Sequence, residues 1–260
     1  MLFIVILLSL IQSVTEFLPI SSSAHLMLVP WLFQFNDPGL AFDAAIHVGT
    51  ALALLVYFAK EFVEMIKTKD KLLWYIVAAS VPAAVLGFLG DKVITKYLHE
   101  ASYAPLVVGL GMIFFSGLLY YVDKVGKKEE AVEKITLKQS MFVGLAQILA
   151  FIPGASRSGI TITAGLWLGF NREAAARFSF LLATPISLGA GLYKVYDLMK
   201  HPDHTLTNFD LFTGIIITFI ASMVVIRWFL GYLKKHSMLA FVVYRIVVGV
   251  LVVGVWLLRR

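Results

Sequence analysis

Apolar residues run through this chain in stretches of two lengths. Long runs occupy residues 40–59, 72–90, 103–122, 174–196, 209–231 and 238–258, with a charged loop expected from Lys60 to Lys71 and a short one from Asp91 to Ser102. Each run approaches the roughly 20 apolar residues a helix needs to cross a hydrocarbon layer about 30 Å thick. Short runs occupy 2–17 and 24–35, and again 139–151 and 159–170, each pair broken by a proline and a cluster of small polar residues. Two half-length helices around a polar break suggest a re-entrant hairpin, because irregular backbone at membrane depth survives only against protein or a wet cavity. One long, kinked helix is the alternative. The pattern predicts an all-α polytopic membrane protein with two re-entrant hairpins and about six transmembrane helices.

The plan occurs twice. Residues 1–123 form a first repeat and 139–260 a second, joined by a polar linker, 124–138, within one membrane domain. Three crossings per half place the start and end of each half on opposite sides, so the second repeat enters the membrane inverted, and the two hairpins meet near the middle. Gln12 and Pro19 are answered by Gln147 and Pro153, and Phe42 by Phe178.

Composition fixes the class. Sixty per cent of the 260 residues are hydrophobic and 15% charged, against about 25% charged in a soluble domain. A net charge of +6 would suggest nucleic acid in a soluble protein; between apolar runs the same lysines are cytoplasmic anchors, and no nucleic-acid partner is expected. The loops of one side hold twelve Lys and Arg, those of the other six. The richer side should be cytoplasmic, with both termini outside and the first hairpin entering from the external face. The absence of cysteine excludes disulfides, thiolate metal sites and thiol nucleophiles. With no basic residue before Lys60, the N-terminus is unlike a cleavable signal and is expected to stay in the mature protein. The aromatic residues are expected mainly at the lipid and the interfaces.

Against this background the polar residues in the two breaks stand out, since ionisable groups in lipid are costly unless used. The first break reads Glu16-Phe-Leu-Pro-Ile-Ser-Ser-Ser-Ala-His25, the second Pro153-Gly-Ala-Ser-Arg-Ser-Gly159. Arg157 offers a planar fork that fits phosphate oxygens, between Ser156 and Ser158 at a helix start. Gly154 and Gly159 would let backbone approach an anion there. Ser21, Ser22 and Ser23 also open a helix, and His25 follows Ser22 at a spacing that shares a face. His25 could take the Ser22 proton, act as nucleophile, or be a buried hydrogen-bonded ring. Glu16 could orient His25, hold a divalent cation, supply acid chemistry or neutralise Arg157; Gln12, one turn earlier, suits a neutral hydrogen-bonding role. Asp43 and His47 share a face, and Asp43 could pair with Arg177 across the repeat. His201 and His204 are expected to be solvated in a loop. No dinucleotide fingerprint, Walker loop or zinc motif appears.

The two broken motifs, with Phe178-Ser-Phe-Leu-Leu-Ala183 and Tyr244-Arg245, resemble over nearly the whole chain the undecaprenyl-diphosphate phosphatase family, integral membrane enzymes associated with bacitracin resistance. The resemblance implies hydrolysis of a C55 polyprenyl diphosphate lipid to the monophosphate in the plasma membrane, recycling the lipid carrier of cell-wall synthesis. Bacitracin would then compete indirectly, through the substrate, and a homodimer is compatible with the family. Carried over by position, Glu16, Ser22, His25 and Arg157 match catalytic or substrate-binding residues, with Ser21, Ser23, Ser156 and Ser158 around the diphosphate. Mg2+ or Ca2+ is implied by the resemblance alone, with Glu16 as its ligand; well-known members carry a second glutamate where this chain has Gln12. The expected mechanism uses Ser22 as nucleophile and His25 as base, with attack by His25 or by water left open. The rival is a secondary transporter or polyprenyl-phosphate flippase built on the same inverted repeat.

Overall fold

A computed structural model describes residues 2–35, 38–94, 103–200 and 207–259. The first broken pair is α1 (Leu2–Thr15) and α2 (Ser22–Phe33). It is followed by α3 (Leu40–Tyr57), α4 (Ala59–Thr68), α5 (Lys71–Ile94) and α6 (Ala104–Val125). The second broken pair is α7 (Leu137–Ala146), extended by a 3-10 turn over Gln147–Phe151, and α8 (Arg157–Trp167), and then come α9 (Arg172–Lys200), α10 (Asn208–Leu233) and α11 (Leu239–Leu258). The chain is all-helical among the described residues, apart from an isolated bridge between Glu130 and Phe170.

Five helices, α5, α6, α9, α10 and α11, are long and apolar enough to cross a membrane, and α3 with α4 makes a sixth if that bent pair is one span. These are the six long runs of the sequence. The charged segment after residue 59 is not a loop, however. It forms α4, bent 53° from α3, because Lys60, Glu64 and Lys67 fall on one exposed face while Met65 is buried on the other. The expected loop from Asp91 to Ser102 begins as the end of α5; residues 95–102, and His201 and His204, lie outside the described residues.

The halves interlock. α1 packs on α10 and α7 on α5, while α3 contacts both α9 and α10, and α6 lies along α11. The α6–α11 contact depends on Gly109 and Gly249: a Cβ on Gly109 would come within 2.9 Å of the Gly249 carbonyl, and one on Gly249 within 2.7 Å of the Gly109 carbonyl. Without hydrophobic solvation to drive helices together, close backbone approach of this kind supplies the packing. Aromatic residues divide between two environments. Phe3, Phe33, Trp74 and Phe88 are exposed, as expected, but Phe17, Phe42, Phe58, Phe170, Phe178, Phe180 and Phe229 are fully buried. Phe17, just past Glu16, meets Phe180 edge-on at 5.4 Å and so anchors the first break to α9.

Polar ties gather at one end. Asp123, closing α6, accepts Arg172 Nε at 2.6 Å and the Met238 backbone N–H at 3.2 Å. Arg177 pairs with Glu61 at 3.1 Å and Glu133 at 2.7 Å, not with Asp43: it lies near the start of α9, level with α4 and the linker. Thr136 and Gln139 form a capping box that starts α7. Glu130 accepts Gln139 Nε2 at 3.0 Å, and its N–H donates to the Gly169 carbonyl just past α8. Both outer ends of the second broken pair therefore lie beside the linker.

Candidate active site

The two breaks are built alike and touch. The residue that opens each second helix is a serine at positive φ, 75° at Ser21 and 72° at Ser156. Its hydroxyl meets that of the serine two positions on, 3.5 Å to Ser23 and 3.2 Å to Ser158. Side-chain-bearing residues rarely adopt such φ values, and they persist only where their surroundings hold them. Arg245 does much of the holding. Fully buried on α11, it donates to the carbonyls of Pro19 (3.1 Å), Gly154 (2.7 Å) and Ala155 (2.9 Å). These carbonyls come from both breaks, and buried acceptors require such partners. Ser158 adds a direct tie, its hydroxyl donating to the Leu18 carbonyl at 2.9 Å.

Glu16 is the hub. Arg157 Nη2 donates to its Oε1 at 2.7 Å, while its Oε2 accepts Ser22 Oγ at 2.6 Å and Gln12 Nε2 at 3.0 Å. Arg157 Nη1 donates to Ser187 Oγ at 3.1 Å. The Arg157–Glu16 pair joins residues 141 positions apart. Around it lies a cavity of about 240 Å³ whose lining includes Glu16, Ser21, Ser22, Ser23, Ser156 and Arg157. The Ser21 side chain makes no capping bond, so the first N–H groups of α2 remain for an anion, helped by the helix dipole.

Other residues singled out from the sequence lie elsewhere. His25 does not pair with Ser22: its Nδ1–H donates to the Ser21 carbonyl at 2.7 Å, its Nε2 accepts Tyr244 Oη at 2.7 Å, and the two rings stack. It lines a second cavity of about 560 Å³, between α1 and the start of α11, walled mainly by Leu7, Leu10, Val14 and Phe241. The carbonyl four residues back captures the ring, while Ser22 turns to the nearer carboxylate. Gly154 and Gly159 make no anion cradle. The space beside Gly154, at φ +83°, is taken by the Val108 carbonyl, and a Cβ on Gly159 would meet Arg245 at 3.0 Å. Ser158 is buried in its bond to Leu18, and Gln12 supports Glu16 from behind.

The cavity also holds three groups that sequence reasoning did not assign to it: His47, Ser187 and Lys194. His47 was legible only as a neighbour of Asp43. Its Nδ1–H in fact donates to the Asp43 backbone carbonyl at 2.7 Å, which leaves Nε2 facing Glu16 Oε2 at 4.0 Å. Ser187 and Lys194, two turns apart on α9, are a polar stripe inside an apolar run, and that spacing was the available signal.

A divalent cation needs several oxygen donors. Among the described residues no three His, Asp or Glu side chains come together as a metal set, and both Glu16 oxygens are engaged. This donor set does not form a protein-built cation cage.

Residues 5–251 match the family model described as Bacitracin resistance protein BacA. The undecaprenyl-diphosphatase of Alteromonas mediterranea is 44% identical over 260 residues, covering 95% of this chain and 96% of that protein. That of Moorella thermoacetica is 41% identical, covering 98% of each, and undecaprenyl-diphosphatase 1 of Pseudoalteromonas translucida is 44% identical, covering 95% of each. With a family model matched along almost its entire length, this chain belongs to the bacitracin resistance protein BacA family.

Proposed function

We propose that this protein is a membrane phosphatase that hydrolyses undecaprenyl diphosphate to the monophosphate and inorganic phosphate, returning the lipid carrier to cell-wall synthesis. The relatives' activity supports the substrate. The observation that carries the chemistry is the convergence of Arg157 from the second break with Glu16 and Ser22 from the first.

In the proposed reaction the terminal phosphate lies against Arg157, Ser187 and the start of α2. A phosphate that takes over part of the Arg157 fork frees Glu16 to receive the Ser22 proton along the 2.6 Å bond already present. Ser22 Oγ then bonds to the terminal phosphorus, the bond from phosphorus to the bridging oxygen breaks, and its electron pair leaves with the lipid monophosphate. Water cleaves the phosphoserine, and the proton returns to Oγ. The arginine, the hydroxyls and the helix start stabilise the charge that develops on the phosphoryl oxygens. His25 serves instead to position α2 through Ser21, and no step needs a metal ion as carrier.

The two broken pairs suit re-entrant hairpins. α7 and α8 both end beside the linker, and Arg259, at the end of α11, packs over Trp31 and donates to its carbonyl near the end of α2. With the basic-rich side cytoplasmic, the cavity opens outward along the Lys194 end of α9. The test is direct. Purified protein in detergent, given undecaprenyl diphosphate, releases phosphate; a transporter or flippase alone releases none, and that outcome would sink the proposal.

A further inference from the structure

α9 lays a stripe along the cavity: Ser187, Ala190, Gly191 and Lys194 recur at helical spacing and all line it. Ser187 marks the inner end, where its hydroxyl accepts Arg157 Nη1 at 3.1 Å. Lys194 follows seven residues later, about 10 Å further along the axis at 1.5 Å per residue, and is exposed where α9 leaves the core. Between them Ala190 and Gly191 add almost no side chain to the floor, and Gly191 also lets α3 pack close, a Cβ there meeting Val48 at 3.2 Å. The four-carbon stem of a lysine can cover much of that length, bringing its ammonium back over the floor toward Arg157. His47 lines the cavity too, its Nε2 4.0 Å from Glu16 Oε2. The cavity thus offers two cationic positions in line, an inner one at Arg157 and an outer one at Lys194.

We propose that Lys194 binds the phosphate that carries the lipid, and so makes this cavity selective for a diphosphate over a monophosphate. The inference rests on the phosphatase reading above. Ser22 fixes the inner position for the terminal phosphate, so the second phosphate of the same substrate falls at the outer one. When the bond from the terminal phosphorus to the bridging oxygen breaks, the electron pair passes to the lipid phosphate, beside the Lys194 ammonium; no proton moves to or from the lysine. A monophosphate occupies one position only, the inner one, where Arg157, Ser187 and the start of α2 offer more donors than Lys194 alone, and so gains nothing from the outer one.

The experiment compares farnesyl diphosphate, a short polyprenyl diphosphate, with farnesyl monophosphate. In detergent, Lys194→Gln is expected to lower kcat/KM for phosphate release from the diphosphate by roughly tenfold to a hundredfold, the scale of a charged hydrogen bond. The inhibition constant of the monophosphate should stay within about twofold, and Lys194→Arg should restore most of the loss. Unchanged kcat/KM, or equal weakening of both ligands, would overturn the proposal. If the wild-type enzyme releases no phosphate, the phosphatase reading fails. Calorimetric titration with the two farnesyl compounds then still decides whether Lys194 discriminates between them, because it reads binding without turnover.

Discussion

At the scale of single residues, the site is a carboxylate with each oxygen assigned. Glu16→Gln keeps the shape but removes both the anion facing Arg157 and the acceptor of the Ser22 proton, and phosphate release should fall about 10³-fold; activity within tenfold of wild type would refute the assignment. His25 and Tyr244 make a contrasting pair. Tyr244→Phe removes only the hydroxyl bonded to His25 Nε2 and should cost about 1 kcal/mol of stability with kcat reduced less than tenfold, whereas a role of His25 as base would make kcat far more sensitive. The convergence of Glu16, Ser22 and Arg157 was legible in the sequence, because ionisable groups at breaks in apolar runs have few reasons to be there. The partners of His25 were not legible, because i, i+3 spacing reports a shared helix face but not which neighbour captures a ring. Here the carbonyl of Ser21 and the hydroxyl of Tyr244, 219 residues away, capture it. His47 could not be placed from local spacing, and the Ser187–Lys194 spacing marked a polar stripe without saying what it faces, since the packing of α3 and α9 against each other decides that.

At the scale of elements, the two breaks depend on one side chain. Arg245 supplies donors to three backbone carbonyls that no helix satisfies, so Arg245→Met leaves buried acceptors unpaired and should cost about 3 kcal/mol or more. Activity should fall with it although Arg245 does not line the cavity, and denaturation in mixed detergent would show the loss; a variant of wild-type stability would contradict the clip. At the polar end, Arg177 joins α4, the linker and α9 through Glu61 and Glu133. The Glu133 carboxyl is held below its ordinary value of 4.5 first by its own backbone N–H and then by the Arg177 guanidinium, against the opposing effect of partial burial. A carboxyl with a depressed folded value contributes stability above its unfolded value and loses it as pH falls through the folded one. Glu133→Gln should therefore show a small Tm deficit at pH 7 that closes as the pH drops well below 4.5; a deficit that grows on acidification would contradict this sign. Five of the six long apolar runs were readable because each is a helix of membrane length, and the sixth because α3 reaches that length together with α4. α4 was not, because its charges resemble a loop until its buried face is seen.

At the scale of the whole molecule, two broken helix pairs, one from each half, are brought together inside a bundle of five or six helices able to cross a membrane. Because the chain lacks cysteine, single cysteines at Lys127 and Arg259 can report sidedness in intact cells: an impermeant maleimide should label position 259 and spare 127, and the reverse pattern would invert the proposed orientation. The contacts of α1 with α10 and of α7 with α5 had no local trace in the sequence, since each joins segments far apart along the chain. The central claim is that residues from both breaks act on one diphosphate. It is tested most directly by phosphate release from undecaprenyl diphosphate in a Ser22→Ala, Arg157→Ala double-mutant cycle. Groups that act as a unit should each cost nearly the full rate, at least about 10³-fold, with the double variant no slower than the worse single. Independent, multiplying losses, or an Arg157→Ala enzyme near the wild-type rate, would contradict it.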